Sequence, residues 1–149
     1  MTRIAVAAAV LLAAVAVRAE EAAPERTAQL FGIEEYRMPN GLRVGLYPDS
    51  TAPKVTVNLT VLVGSVHEGA GEMGMAHVFE HVLFYSVEGF PDIASTLRDM
   101  GANYNGTTWF DRTNYFETVN ATDENLETAI RLEAGRLGSA IINPDDLAR

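Results

Sequence analysis

The chain has no cysteine among its 149 residues. That excludes disulfides, thiolate metal sites and a cysteine nucleophile, and leaves the compartment to be read from other features. Basic residues are also few: 11 Lys and Arg stand against 20 Asp and Glu, for a net charge of −9. A nucleic-acid partner is excluded on that ground, because phosphate binding needs a basic patch. The longest apolar run, Ile4 to Val17, has 14 residues, short of the ~20 that span a bilayer, so no stable membrane anchor is expected. Histidine is scarce, with three in the chain. Internal repeats and low-complexity tracts are lacking. What remains is a globular composition, 48% apolar and 21% charged, on a chain long enough for one domain with a real core.

The start of the chain carries an address. Met1-Thr2-Arg3 is short and positive, the apolar run follows, and Val17-Arg18-Ala19 places small residues where a signal peptidase reads. Residues 1–19 are therefore expected to be a cleaved signal peptide, with a periplasmic or secreted product. The mature chain would keep 9 basic and 20 acidic residues, a net charge of −11. Residues 20–35 begin polar, contain Pro24 and read as a flexible lead-in to a domain over 36–149.

Asn40-Gly41 is a turn signal, and Leu42, Val44 and Leu46 then alternate with Arg43, Gly45 and Tyr47, a hairpin leading into a strand. The cleanest alternation starts at Lys54. Val55, Val57, Leu59, Val61 and Val63 share one face of a long strand that ends at Gly64-Ser65. A glycine-rich loop with Glu68 and Glu72 precedes an apolar helix from about Met73 to Phe84, expected to be largely buried. Asp92 caps a short helix with Ile93, Leu97 and Met100 on one face, closed by Gly101. Asn103 to Trp109 and Thr113 to Ala121 read as an antiparallel pair. A last helix starts at Thr122 or Asp123 and ends at Asn143-Pro144, with Leu126, Ala129, Ile130, Leu137 and Ile141 as its apolar stripe. This order predicts an α+β fold, a mixed or antiparallel sheet with helices packed on one face.

Two of the three histidines lie in His77-Val78-Phe79-Glu80-His81. At about 100° per residue, His77 and His81 stand roughly 40° apart and one turn along, so both imidazoles reach one ion. Glu80 falls roughly 60° to the far side of His77 and flanks the pair. This is the His-Glu-x-x-His zinc helix reversed. The plainer reading is a buried helix whose histidines bond to backbone, but that does not call for a carboxylate beside them. Burying Glu80 without a metal or cation is costly unless it protonates. The pattern therefore points to Zn²⁺ held by His77 and His81, with Glu80 as general base for peptide hydrolysis.

The chain resembles the pitrilysin/insulinase-type inverted zinc peptidases, the group that includes insulin-degrading enzyme and the mitochondrial processing peptidases. The likeness covers about Tyr36 to Arg149. It rests on Asn40-Gly41-Leu42, on Val63-Gly64-Ser65 with Glu68, and on the run from Gly74 to Phe84. It continues through Gly101 to Thr108, Asp111-Arg112-Thr113-Asn114-Tyr115 and Asn143-Pro144, in a form most similar to the bacterial secreted members. The resemblance implies zinc on His77 and His81, Glu80 as base, and the metallopeptidase α+β roll, incomplete at the C-terminus. It implies an extended peptide or unfolded protein segment as substrate, paired with an edge strand around Asn105, Gly106 and Thr107, and a second homologous domain or subunit as partner. Asn105-Gly106-Thr107, Asn58-Leu59-Thr60 and Asn120-Ala121-Thr122 also have the form of glycosylation sequons. Tyr85-Ser86-Val87 departs from the family's Lys-Gly-Thr turn. The third zinc ligand of the family, a glutamate, is expected at about position 157, past Arg149. The chain is thus expected to be the front portion of an endopeptidase, inactive by itself. The alternative is a non-catalytic partner subunit or interaction scaffold.

Overall fold

Alternation of small apolar and polar residues over Lys54–Val61 makes a strand with one face to bury, and that face organises the larger part of the molecule. The computed structural model describes residues 23–142. The signal peptide expected at residues 1–19 lies outside them. The chain divides after Asp49 into two compact units.

In the first unit, β1 (Glu25–Leu30), β2 (Ile33–Arg37) and β3 (Arg43–Leu46) form an antiparallel meander in that order. The Asn40-Gly41 turn closes as expected: Met38 N–H donates to the Leu42 carbonyl at 2.8 Å, and Asn40 Oδ1 accepts the Leu42 N–H at 3.0 Å. Within the stretch 20–35 expected as a lead-in, of which residues 23–35 are described, β1 and the start of β2 are regular strand. Every β1 residue is exposed. The strand is held by backbone pairing and by exposed polar contacts such as Thr27 Oγ1 to Glu35 at 2.8 Å. A strand with no buried face has no apolar alternation to read.

In the second unit, β4 (Lys54–Val61), β5 (Asn103–Thr108) and β6 (Thr113–Asn120) form an antiparallel sheet in the order β4-β6-β5. Its register sets Val55 against Val119, Val57 against Glu117, Leu59 against Tyr115, and Tyr115 against Gly106. Those residues face the helices. The opposite face is polar, with a Thr56–Thr118 hydroxyl pair at 2.8 Å and Asn114 donating to Thr60 at 2.9 Å. Three helices follow from the capping signals: α1 (Met75–Val82), α2 (Ile93–Asp99) and α3 (Asp123–Gly138). Asp92 accepts the Ser95 N–H at 2.8 Å to open α2, and Thr122 accepts the Asn125 N–H at 3.2 Å to open α3. Helix α1 packs on β5 and β6, and α3 on β4 and β6. Val87, Ile93, Leu97 and Leu132 form a core cluster extended by Phe90, Ala102 and Tyr104. The α+β class is as expected, with its strands in two antiparallel sheets.

Two helix faces differ from expectation. Helix α1 is not largely buried: Met75, Val78 and Phe79 are each nearly half exposed, and only Glu80 and Val82 are buried. Helix α3 ends at Gly138, and it buries Ala129, Leu132, Glu133 and Arg136. Ile130 and Leu137, assigned to its apolar stripe, are about half exposed, as is Ile141 beyond its end. The true face keeps helical spacing, but two of its four members are charged, and charge in a sequence normally reads as a solvated face.

The buried charges of α3 and β6 form one group. Arg136 Nη1 lies 3.3 Å from Glu133 Oε1, and Glu117 of β6 is fully buried beside them. Burial, reinforced by the Glu133 carboxylate, pushes the Glu117 carboxyl up to about 9. Burial likewise raises the Glu133 carboxyl, and the adjacent guanidinium opposes that rise. Glu117 is therefore a neutral acid at pH 7. Its folded pKa lies above the ordinary 4.5, so the folded state binds the extra proton. Its contribution to stability is whole below about pH 4.5, declines through the interval, and is gone above about 9. Glu117→Gln should flatten the loss of thermal stability between pH 6 and 9, seen as a smaller fall in Tm than in the parent. Parallel Tm curves would show that Glu117 is already ionised in the folded chain.

Candidate metal centre

The polypeptide reaches α1 through a 3₁₀ turn at Ser65–His67 and a loop that ends on Gly74, in the left-handed region at φ +88°. An eight-residue helix is marginal by itself. Its first amides are satisfied from outside: the Glu68 carboxylate accepts the Gly74 N–H and the Ala76 N–H, each at 2.9 Å. A negative group at this end also suits the helix dipole. These two amides, Ala76 foremost, hold the Glu68 carboxyl below its ordinary 4.5.

One turn further on, His77 and His81 present their Nε2 atoms to each other at 3.1 Å, with ring centroids 4.7 Å apart. Two nitrogens ligating one tetrahedral zinc at 2.0–2.1 Å would stand about 3.3 Å apart. The pair as folded is close to that separation, so these residues fit a zinc ion. One donor atom from each of His77, Glu80 and His81 lies within 4.8 Å of the others. Both histidines are exposed and Glu80 is buried at 6%, so an ion there would keep a solvent-facing side.

Strand β5 holds Glu80 in place. Thr108 Oγ1 donates to Glu80 Oε2 at 2.6 Å. Gly106 lies directly under the carboxylate: a Cβ on it would come within 3.0 Å of Glu80 Cγ and Oε1 and within 2.9 Å of Phe84 Cε2. Any larger residue at 106 would displace the acid or the ring. Period two places Tyr104, Gly106 and Thr108 on the helix side of the sheet and Asn105 and Thr107, both exposed, on the other. Asn105 Oδ1 accepts the Gly106 N–H at 2.9 Å. Of the three candidate substrate residues, the structure brings only Gly106 against the acid. Thr108 was missed in the sequence, although the alternation through Gly106 points to it. Strand β5 is an edge of its sheet. The third histidine, His67, is placed elsewhere, with Nδ1 3.2 Å from the Gly64 nitrogen. His77, Glu80, Gly106, Thr107 and Thr108 line a cleft of about 580 Å³ together with Ser65, Glu68, Trp109 and Phe110.

A short helix that presents two histidines and an adjacent acid over an antiparallel edge strand is a class of arrangement that could hold a metal ion. The comparisons narrow the class. Residues 43–144 match the profile of Insulinase (Peptidase family M16). The chain is 34% identical over 116 residues to a protein of Dictyostelium discoideum named insulin-degrading enzyme homolog, covering 76% of this chain and 12% of that one. It is 29% identical over 116 residues to the zinc protease PqqE of Helicobacter pylori, covering 76% and 26%. Among solved structures, a protease from Helicobacter pylori superposes with a TM-score of 0.70 at 29% identity, over 76% of this chain and 27% of that chain. The periplasmic protease PqqL from Escherichia coli shares the fold at a TM-score of 0.73 and 24% identity, over 81% and 14%. The chain belongs to peptidase family M16, the insulinase family. It spans roughly an eighth to a quarter of the length of the two relatives named first.

The Glu68 anchor gives a sign to acid sensitivity. Its folded pKa is depressed, so its contribution is present above the ordinary 4.5 and is lost as pH falls through the lowered folded value. Glu68→Gln should be less stable than the parent near neutrality, and the gap should close in acid, as read by thermal unfolding from pH 7 to pH 3. A gap independent of pH would assign the effect to packing.

Proposed function

We propose that the protein is a zinc-dependent endopeptidase in which His77 and His81 are metal ligands and Glu80 is the general base. The observation that supports this most strongly is the state of Glu80: a buried acid, held by a hydroxyl at 2.6 Å, beside two exposed imidazoles whose Nε2 atoms are 3.1 Å apart. When bound, zinc supplies Lewis acidity and lowers the pKa of water toward ~7. The chain's own residues do the rest. Thr108 occupies Glu80 Oε2 and leaves Oε1, over Gly106, to take a proton from the attacking water and return it to the leaving amine. The backbone of β5 at Asn105, Gly106 and Thr107 receives an extended peptide by strand addition, which gives affinity with little sequence preference. That mode requires Asn105 Oδ1 to release the Gly106 N–H it now accepts.

A catalytic zinc takes three protein ligands. Among the described residues, the other buried carboxylates, Glu117 and Glu133, belong to the Arg136 group and not to the histidine pair. The 149-residue chain is therefore expected to bind zinc weakly and to cleave nothing until a further acid completes the set. A second homologous domain would close the substrate chamber, and the apolar N-terminal segment would direct the product to the periplasm or outside the cell. Among the described residues no helix is long and apolar enough to cross a membrane.

Zinc titration and a peptide-cleavage assay, on this chain and on a form extended at its C-terminus, check the proposal. Tight zinc and turnover are expected only in the extended form. In that form Glu80→Gln should retain zinc and lose turnover by at least ~10²-fold, within the range of general acid–base catalysis. Undiminished turnover would remove Glu80 from the base role, and a chain that binds zinc without turnover in any form would favour a non-catalytic partner subunit. Thr108→Val, which removes the hydroxyl at similar volume, should lower kcat more than it changes KM. The reverse split would make Thr108 a substrate contact.

A further inference from the structure

The buried cation of α3 lies against the far end of the metal helix. Arg136, with its side chain 1% exposed, sets its Cζ 4.5 Å from the centre of the Phe84 ring and 4.6 Å from that of Tyr115. The two rings meet edge-on at 5.7 Å, so the guanidinium is a shared cation for both. Phe84 follows α1 by two residues and lies one turn after Glu80. Its Cε2 and Glu80 Cγ are the two carbons that crowd the space above Gly106, within 2.9 and 3.0 Å of where a Cβ would be. Tyr115 pairs directly with Gly106 across the sheet. A cation that holds Phe84 and Tyr115 thus holds the ring that shares the space above Gly106 with Glu80 and the ring paired with Gly106 across the sheet. Cation–π contacts strengthen when desolvated, and this one is excluded from water.

At the other end of α1, Glu68 takes two amide hydrogens. We infer that Glu68 and Arg136 act as a pair of positioning residues that fix the metal helix between an anion at its first turn and a cation beyond its last. The inference rests on the role proposed for α1, and it concerns how the helix is held, not the reaction. The anion at the first turn has the sign a helix dipole favours, and the cation beyond the last acts through the Phe84 ring. A helix of eight residues exposing its two histidines and Met75, Val78 and Phe79 has little apolar burial of its own to hold it. Anchors at both ends supply the orientation that burial does not. Glu133 lies 3.3 Å from Arg136 and balances its charge, and a protonated Glu117 adds none. The two acids therefore leave the guanidinium paired and the stack undisturbed.

The test separates holding the helix from holding the fold. Removing Arg136 alone strands Glu133 as a buried unpaired charge, which is strongly destabilising. The informative variant is the neutral pair Arg136→Met with Glu133→Gln, since exchanging a buried ion pair for groups of similar volume is often neutral for stability. Hydrogen exchange is measured on the metal-free chain and zinc affinity by titration. With Tm within a few degrees of the parent, the α1 amides from Phe79 to Val82 should exchange at least tenfold faster while those of β6 stay unchanged. Zinc affinity should fall about tenfold. Arg136→Lys, which keeps charge without the planar stack, should fall between. Phe84→Leu should reproduce the exchange effect, and adding the neutral pair to it should have little further effect, since both act through one contact. Unchanged α1 exchange in a stably folded neutral pair, or full additivity with Phe84→Leu, would overturn the positioning role. If the neutral pair does not fold, unchanged α1 exchange in Phe84→Leu overturns it equally. Exchange is read without metal, so a chain that binds no zinc would count against the peptidase reading alone.

Discussion

Everything at the centre depends on how closely α1 approaches β5. The helix can bring Glu80 down to the sheet only because position 106 has no side chain. With any Cβ there, the acid and Phe84 would meet it at about the 3 Å that real contacts avoid. Once the acid is down, Thr108, two residues along the same face, is within reach to donate its hydroxyl. The histidines, roughly 60° and 100° round the helix from Glu80, then stay exposed beside that contact. One steric permission in the strand thus sets the acid inside and the two imidazoles outside, with their Nε2 atoms 3.1 Å apart.

Charge is used here with unusual economy of position. The helix that carries the site is short and poorly buried, so its ends are held by polar groups: two amides on Glu68 in front, and an aromatic pair on Arg136 behind. Such a cation in the interior needs compensation, and Glu133 one turn earlier on α3 supplies it. Glu117 cannot also ionise in the same dry volume and keeps its proton. The polar interior of the second unit is therefore an extension of the site's support and not an unrelated defect in packing.

Much of this could be read from the chain. The alternation from Val55 to Val61, the caps at Asp92 and Thr122, and the Asn40-Gly41 turn each announce a local structure that depends on near neighbours alone, and each appears where expected. Strand β1 could not be read, because its pairing is between backbones and its side chains face solvent. The buried face of α3 was misassigned because Glu133 and Arg136 look solvated until their partners are known, and those partners, Glu117, Phe84 and Tyr115, come from β6 and from the end of α1. The apolar residues of α1 read as burial, although nearly half the surface of Met75, Val78 and Phe79 stays exposed among the described residues.

By itself the sequence determined the α+β class, the one-turn spacing of His77 and His81, and the acid beside them, since these follow from helical and strand periodicity over a few residues. Only the tertiary structure decided which acid is buried, that Thr108 and Gly106 are what hold it, and that Glu68 and Arg136 secure the two ends of α1. Those are contacts between segments of the chain distant in sequence or set by loop closure, and no local period encodes them.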